Sequence, residues 1–421
     1  MRGLLHRLTT LPGGLRVATA TLPHVETVAV GVWIGAGTRH ESEDAAGAAH
    51  LLEHMAFKGT ERRDARRIAE EIESVGGSLD AHTSREYTAY YARLLAEDLP
   101  LALDLLADIL QHSRLDEEEL ARERQVVLQE IAEVNDAPDD LVFDLFQEQA
   151  FPDQPLGRPV LGNRDSVAAM SREALCRFLR ERYVMPRTIV AAAGKVEHEE
   201  VEALAESLFG GLAPDGRPSS PPARYRGGAR LVEREFDQVH LVLGFPAPAY
   251  GDPDYFALHL LSNILGGGMA SRLFQEVRER RGLAYSVFGF ASCFSDAGLF
   301  GVYSSTEPEQ SAELLFTLCD ELRRFAEGPT AEELARAKKQ LEASLLMSLE
   351  SCGAVAEDLA RQLLFFGRRL PVPEIVARIE AVTRDDLRRL AHGLLGATPT
   401  LAAIGPLSGF PDFATVRARL A

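Results

Sequence analysis

The pentapeptide His50-Leu51-Leu52-Glu53-His54 gathers the residue types of a metal-assisted hydrolase. On a helix, residues i and i+4 share a face, so both imidazoles can reach one ion. Glu53 stands beside the second histidine, placed to touch a water on that ion without binding the ion itself. The surrounding AAGAAHLLEHMAF is rich in Ala, Leu and Met, lacks proline, and predicts a helix. A catalytic zinc takes three protein ligands and keeps one position open, so a further ligand is expected elsewhere. The competing reading is a surface or capping histidine pair. Composition alone would produce HxxEH only about 0.03 times in such a chain, which favours the metal.

The further ligand is sought on a second helix. DEEELARERQVVLQEIAEVN, from Asp116 to Asn135, runs without Gly or Pro and carries Leu120, Val127, Leu128 and Ile131 as an apolar stripe. Glu123 and Glu130 lie two turns apart on one face, beside Val126 and Val127. A carboxylate on a partly apolar face is costly without a cation. Glu133, one turn on, competes with Glu130 as ligand. The ordinary alternative for so many glutamates is a solvated helix face.

Two other places could serve a substrate. The segment Gly76-Gly77-Ser78-Leu79-Asp80-Ala81-His82 leads from a helix end into a short strand, and such an edge can accept a peptide as an added strand. Spacing does not distinguish this from pairing with an ordinary neighbour strand. His82 is expected to be a strand histidine without a ligand role. In RERRGLAYSV, Arg278 and Tyr285 bridge a helix end and a strand and could hold a carbonyl or an oxyanion. On residues alone, a surface arginine and a core-edge tyrosine read as well. Gly266-Gly267-Gly268 could add flexibility or substrate contact. It is no phosphate loop, because no lysine-serine/threonine pair follows.

These residues must be positioned by a duplicated scaffold. HLLEHMAFKG at His50 matches HLLSNILGGG at His259, and EELARERQVVLQEI at Glu118 matches EELARAKKQLEASL at Glu332. SREALCRFL at Ser171 pairs with TRDDLRRLA at Thr383, and TIVAAAG at Thr188 with TLAAIG at Thr400. Four segments in one order define a repeat of about 210 residues. In the second copy Ser262, Asn263, Ala337 and Ser344 replace Glu53, His54, Glu123 and Glu130, and His259 alone survives. One metal site per chain follows. The expected domains are 1–209, carrying the metal, and 229–421, without it and serving substrate binding, joined by a Gly/Pro/Ser-rich linker at 210–228. In the first copy, strands are expected at Leu15–Thr21, Val25–Ile34, Ser78–Thr83, Tyr87–Leu94 and Thr188–Ala193, with a helix over Ala65–Val75. Strand pairs separated by helix pairs predict an α+β fold, each half a mostly antiparallel sheet packed against helices.

Composition agrees. The 421 residues, 46% of them hydrophobic, suffice for two full cores. The net charge of −18 argues against nucleic acid, which calls for a basic face. An acidic chamber would attract basic peptides, and a generally acidic surface is the equal alternative. Four scattered cysteines without a CxxC read as free thiols in a reducing compartment. No apolar run approaches a membrane span, and about eight residues before LPGGLRVATA, read as the first strand, are too few for a leader. A cytoplasmic protein is expected.

HxxEH inverts the HExxH zincin motif and is the inverzincin signature. HLLEHMAFKGT, ERQVVLQEI and SRLFQEVRERRGLAYSV together resemble the pitrilysin-type zinc metallopeptidases, in the bacterial branch similar to the mitochondrial processing peptidase beta subunit. The resemblance covers essentially the whole chain. It implies a zinc endopeptidase that cleaves peptides or unfolded segments, with His50, His54 and Glu130 as ligands of Zn2+. It implies Glu53 as the base that activates water, and Glu123 as a carboxylate orienting a ligand. It also favours substrate binding along Gly77, Leu79 and Ala81, and a role for Arg278 and Tyr285 in completing the active site. The family's closed chamber uses four such domains, so a homodimer is expected, with Arg278 and Tyr285 serving the partner's zinc. A non-catalytic assembly subunit, or an enzyme dedicated to one modified peptide, are the competing functions.

Overall fold

The computed structural model describes residues 5–216 and 220–421; residues 217–219 of the expected linker lie outside the described residues. The strands are β1 (Leu5–Thr10), β2 (Arg16–Thr21), β3 (Thr27–Ile34), β4 (Ser78–Thr83), β5 (Thr88–Leu95), β6 (Thr188–Gly194), β7 (Gly228–Glu233), β8 (Val239–Pro246), β9 (Val287–Cys293), β10 (Gly298–Thr306) and β11 (Thr400–Gly405). The helices are α1 (Ala48–Ala56), α2 (Ala65–Ser74), α3 (Leu99–Gln111), α4 (Glu117–Asp136), α5 (Pro138–Ala150), α6 (Arg164–Ala169), α7 (Arg172–Arg182) and α8 (His198–Leu208). There follow α9 (Tyr255–Gly266), α10 (Ser311–Ala326), α11 (Ala331–Ser348), α12 (Cys352–Phe365), α13 (Val372–Ala381), α14 (Arg384–Leu395) and α15 (Phe413–Leu420).

The chain forms two compact units: Met1–Ala132 with Arg158–Pro221 and Leu346–Arg369, and Glu133–Gly157 with Pro222–Leu345 and Leu370–Ala421. The first contains the sheet β1-β2-β6-β3-β5-β4, the second the sheet β7-β11-β8-β10-β9. Each is mixed, with one parallel pair (β2 with β6, β7 with β11) and antiparallel pairing elsewhere. The two orders are the same once β1 is removed, which is the duplication seen as topology. The fold is the expected α+β, mostly antiparallel.

Two helices depart from a cut of the chain at 210–228. α12 lies within the second repeat in sequence but belongs to the first unit. There Val355, Ala356, Leu359, Ala360 and Leu363 bury against Ala18, Ala29, Trp33, Ile189 and Ala191. α5 lies within the first repeat but belongs to the second unit, packing Val142, Leu145 and Phe146 on Val242, Ala402 and Ile404. Burial of an apolar helix stripe decides membership, and chain order does not reveal which sheet receives it.

The sequence also missed β1. LHRLTT lacks the apolar alternation of a half-buried strand, and Leu5 and Leu8 are exposed on this sheet edge, held by antiparallel pairing to β2. The opposite face of the first sheet carries the helices of the main core: Val28, Val30, Val32, Tyr90 and Val190 pack with Leu51, Leu52, Met55 and Leu106. That face positions α1.

Candidate metal centre

α1 buries Leu51, Leu52 and Met55 and leaves His50, Glu53 and His54 half-buried on its other side. Its start is unusual. Gly47 adopts φ +92, and a Cβ there would stand 2.7 Å from the Leu161 carbonyl oxygen. Glu41 supplies the missing cap from a distance: its two carboxylate oxygens accept the N–H groups of Gly47 (2.9 Å) and Ala49 (2.7 Å). Burial pushes Glu41 up to about 8, against the pull of those two N–H groups.

α4 brings the carboxylates. Its buried positions Leu120, Glu123, Val127 and Ile131 form one stripe, so Glu123 faces inward at 5% exposure among apolar neighbours. One turn beyond Val126, Glu130 is half-buried and meets both histidines: Oε2 is 3.8 Å from His50 Nε2, and Oε1 is 3.8 Å from His54 Nε2. The donor atoms of His50, His54 and Glu130 all lie within 4.8 Å of one another. Among the described residues, no other such group of histidine, cysteine and carboxylate forms. Glu133 is outside it. So is His82, whose ring lies against Tyr87 and Tyr91 and whose Nε2 is 3.3 Å from the Tyr87 hydroxyl.

The donor set fits a zinc ion: two imidazoles and one carboxylate, the three protein ligands of a catalytic site. Burial and the neighbouring His54 push His50 down to about 4, so its ring is neutral with a lone pair to give. Its buried Nδ1 has no hydrogen-bond partner among the described residues. His54 is oriented differently: Nδ1 lies 3.0 Å from Glu123 Oε2, which leaves Nε2 for the cluster. Lys58 Nζ binds the other Glu123 oxygen at 2.8 Å. Burial would raise the Glu123 carboxyl, but hydrogen bonds from Lys58 and His54 outweigh it and hold the group below its ordinary value.

Glu53 does not join the cluster. Thr83, at the end of β4, donates its hydroxyl to Glu53 Oε2 at 2.5 Å. Burial raises Glu53 above the usual carboxylate range, opposed by that hydrogen bond and by His54. Among the described residues β4 is an edge strand, paired with β5 alone, and holds Leu79 and Ala81 against the core face while Gly77 precedes it. Lys58, Thr83 and Glu41 escaped the sequence reading. Lys58 could have been found, since it follows His54 by one turn; Thr83 and Glu41 approach only through the fold.

In the second unit, Arg278 and Tyr285 are neighbours. Arg278 lies in the last turn of a π-helical segment (Phe274–Arg280), donates to the Tyr285 carbonyl at 3.2 Å, and places its guanidinium 4.0 Å above the Tyr285 ring. Tyr285 is 78% exposed, its phenol open to solvent. The degenerate copy of the motif on α9 holds no cluster: His259 stacks edge-on against Tyr255 at 4.5 Å.

Residues 16–164 match the family Insulinase (Peptidase family M16), and residues 169–341 match the Peptidase M16 inactive domain. The chain belongs to peptidase family M16. It is 45% identical to an uncharacterized zinc protease of Streptomyces coelicolor over 95% of this chain and 90% of that protein. It is 39% identical to the "Probable mitochondrial-processing peptidase subunit beta" of Arabidopsis thaliana, over 98% of this chain and 81% of that one. A crystal structure of a protease from Helicobacter pylori superposes with a TM-score of 0.89 at 25% identity, covering 96% and 100% of the two chains. A chain of complex III from Candida albicans shares the fold at 22% identity, with a TM-score of 0.88 over 99% of each chain. This M16 chain is therefore a metallopeptidase of the pitrilysin type, and zinc is the metal its relatives are named for. Among its described residues, no helix is long and apolar enough to cross a membrane.

Proposed function

We propose that this M16 peptidase is a zinc endopeptidase in which His50, His54 and Glu130 hold one ion per chain and Glu53 is the general base. The observation that carries this reading is the convergence of the three donor sets within 4.8 Å beside a separate, partly buried carboxylate. Zinc bound there supplies a Lewis acid for the scissile carbonyl and lowers the pKa of a bound water. Glu53 takes a proton from the attacking water at its carboxylate and delivers it to the leaving amine. Thr83 fixes that carboxylate, Glu123 fixes the His54 ring, and Lys58 keeps Glu123 charged. Glu133 stays outside the ligand set.

The substrate lies extended along the free edge of β4, beside Gly77, Leu79 and Ala81, bonded through its main chain and so without strong sequence preference. Arg278 and Tyr285 offer a guanidinium and a phenol to a substrate carbonyl. Two chains supply four domains, enough to enclose peptides or unfolded segments in a homodimer where this pair serves the partner's zinc. Ser262, Asn263, Ala337 and Ser344 leave the second copy without a metal site. The four unbridged cysteines support a cytoplasmic location.

The test is Glu53→Gln. It should retain zinc at the wild-type level while peptide cleavage falls by about 10²–10⁴-fold, the contribution of a general base. Cleavage at the wild-type rate would remove Glu53 from the chemistry.

A further inference from the structure

The duplication supplies an internal control. In the second unit, the sheet face under α5 is sealed by rings: Phe143 stacks with Tyr303 at 5.3 Å and with Phe288 at 6.3 Å, and meets Phe290 edge-on at 5.4 Å. The first unit has the same frame with other residues. The spacing that matches Glu118 to Glu332 carries Phe143 to Glu357 on α12. Tyr303 pairs across its sheet with Phe288, and Tyr91 pairs with Asp80; one step along, His82 replaces Phe290. Where one copy is plugged by aromatic rings, the other holds a cavity of about 240 Å³. The fold does not require this opening, and close packing is the default for a core boundary.

The lining is polar in a particular order. At one end stand Arg93 and the first turn of α12, where Gly353 brings no side chain; the Ala354 N–H is capped by Ser351 Oγ at 3.4 Å, and the N–H groups of Cys352 and Gly353 have no helical partners. At the other end, one turn along the same helix, stands the Glu357 carboxylate, near Tyr91 and His82; one of its oxygens accepts the Tyr87 hydroxyl at 3.5 Å and lies 3.8 Å from the Arg361 guanidinium, which leaves the second oxygen for a ligand. Burial holds His82 below its ordinary value, so it brings no positive charge to that end. Trp33 forms a wall; it is 2% exposed, and its indole N–H has no acceptor among the described residues. Four residues of helix separate the two ends by ~6 Å, close to the ~7 Å spanned by two extended residues.

We propose that this cavity binds a zwitterion of dipeptide length, its carboxylate at Arg93 and the α12 start and its ammonium at Glu357. Trp33, Tyr91 and His82 would flank the backbone and side chains between them. Dipeptides are products of peptide cleavage, so the identity of the ligand rests on the peptidase reading, while the binding itself does not require turnover. The cavity lies under the α12 face of the sheet, whereas α1 and its histidines pack on the other face.

Trp33 is the single tryptophan of the chain, so its emission reports on this cavity directly. Wild-type protein is titrated with alanyl-leucine, with its N-acetyl form and with its C-terminal amide. The free dipeptide should give a saturable change in emission, and each blocked form should bind roughly tenfold more weakly through loss of a charge-assisted hydrogen bond. Glu357→Gln and Arg93→Met should weaken binding similarly. Glu357→Phe, which copies the plugged unit, should abolish the response and leave peptide cleavage intact. No response from the wild type, or equal responses to free and blocked dipeptides, would overturn the proposal without touching the metal centre. Intact titration in a protein that cleaves no peptide would instead remove the peptidase reading and leave this site standing.

Discussion

His54 Nδ1 and Glu123 Oε2 are 3.0 Å apart, and the second oxygen of Glu123 is taken by Lys58. One nitrogen of the imidazole is thereby committed, so the other is presented to Glu130. A neutral side chain at position 123 would leave the ring free to rotate. Glu123→Ala should lower zinc affinity by about 10–100-fold, the usual cost of removing a partner of a ligating histidine. Competition with a chromophoric chelator measures this; unchanged affinity would reduce Glu123 to a partner of Lys58 alone.

Glu130 and Glu133 sit one turn apart on α4, and only Glu130 meets both histidines. Elemental analysis after dialysis should find Glu130→Ala depleted of zinc and Glu133→Ala fully loaded. The reverse result would move the ligand by a turn.

Arg278 lies over the Tyr285 ring at the surface of its unit. Arg278→Ala should reduce kcat/KM by about 10²–10³-fold if the guanidinium stabilises developing charge, as loss of an oxyanion donor does elsewhere. Its melting temperature should fall by no more than a few degrees, because the half-buried side chain contributes one backbone hydrogen bond and packs on the Phe274 and Tyr285 rings. Full activity in this variant would confine Arg278 to packing.

His40 should make stability depend on pH. Burial and the nearby Arg187, Arg182 and Arg39 push it down to about 3, while its Nδ1 accepts the Gly37 N–H. A base with a lowered folded pKa binds its proton more readily when unfolded. Its stability contribution is therefore complete above the ordinary value of 6.5 and is lost as pH falls from 6.5 toward 3. Across that window the slope reaches about 1.4 kcal/mol per pH unit. Urea unfolding from pH 7 to pH 4 should be less steep in pH for His40→Asn than for the wild type; equal slopes would exclude His40 as the titrating group.

The sequence was most legible where chemistry and local periodicity coincide. His50, Glu53 and His54 declare themselves because one helical repeat places them together, and the Glu123–Glu130 spacing works in the same way on α4. The duplication was legible too, since a repeat is a property of order along the chain. α5 and α12 carried apolar stripes without an address, and β1 carried no stripe at all, because an edge strand is held by backbone pairing that side chains do not encode.

Order along the chain thus determined a duplicated α+β protein with one histidine-glutamate motif on an apolar helix. Tertiary structure decided which carboxylate meets both histidines and that Thr83 reaches Glu53. It also decided that Glu41 caps α1 from outside the helix, and that α5 and α12 each pack on the sheet of the other repeat. The physical reason is range. Helical and strand periodicity act between residues a few positions apart, whereas Thr83 with Glu53, Glu130 with the histidines, and the α5 and α12 packings join residues tens to hundreds of positions apart, and only packing of the whole core selects them.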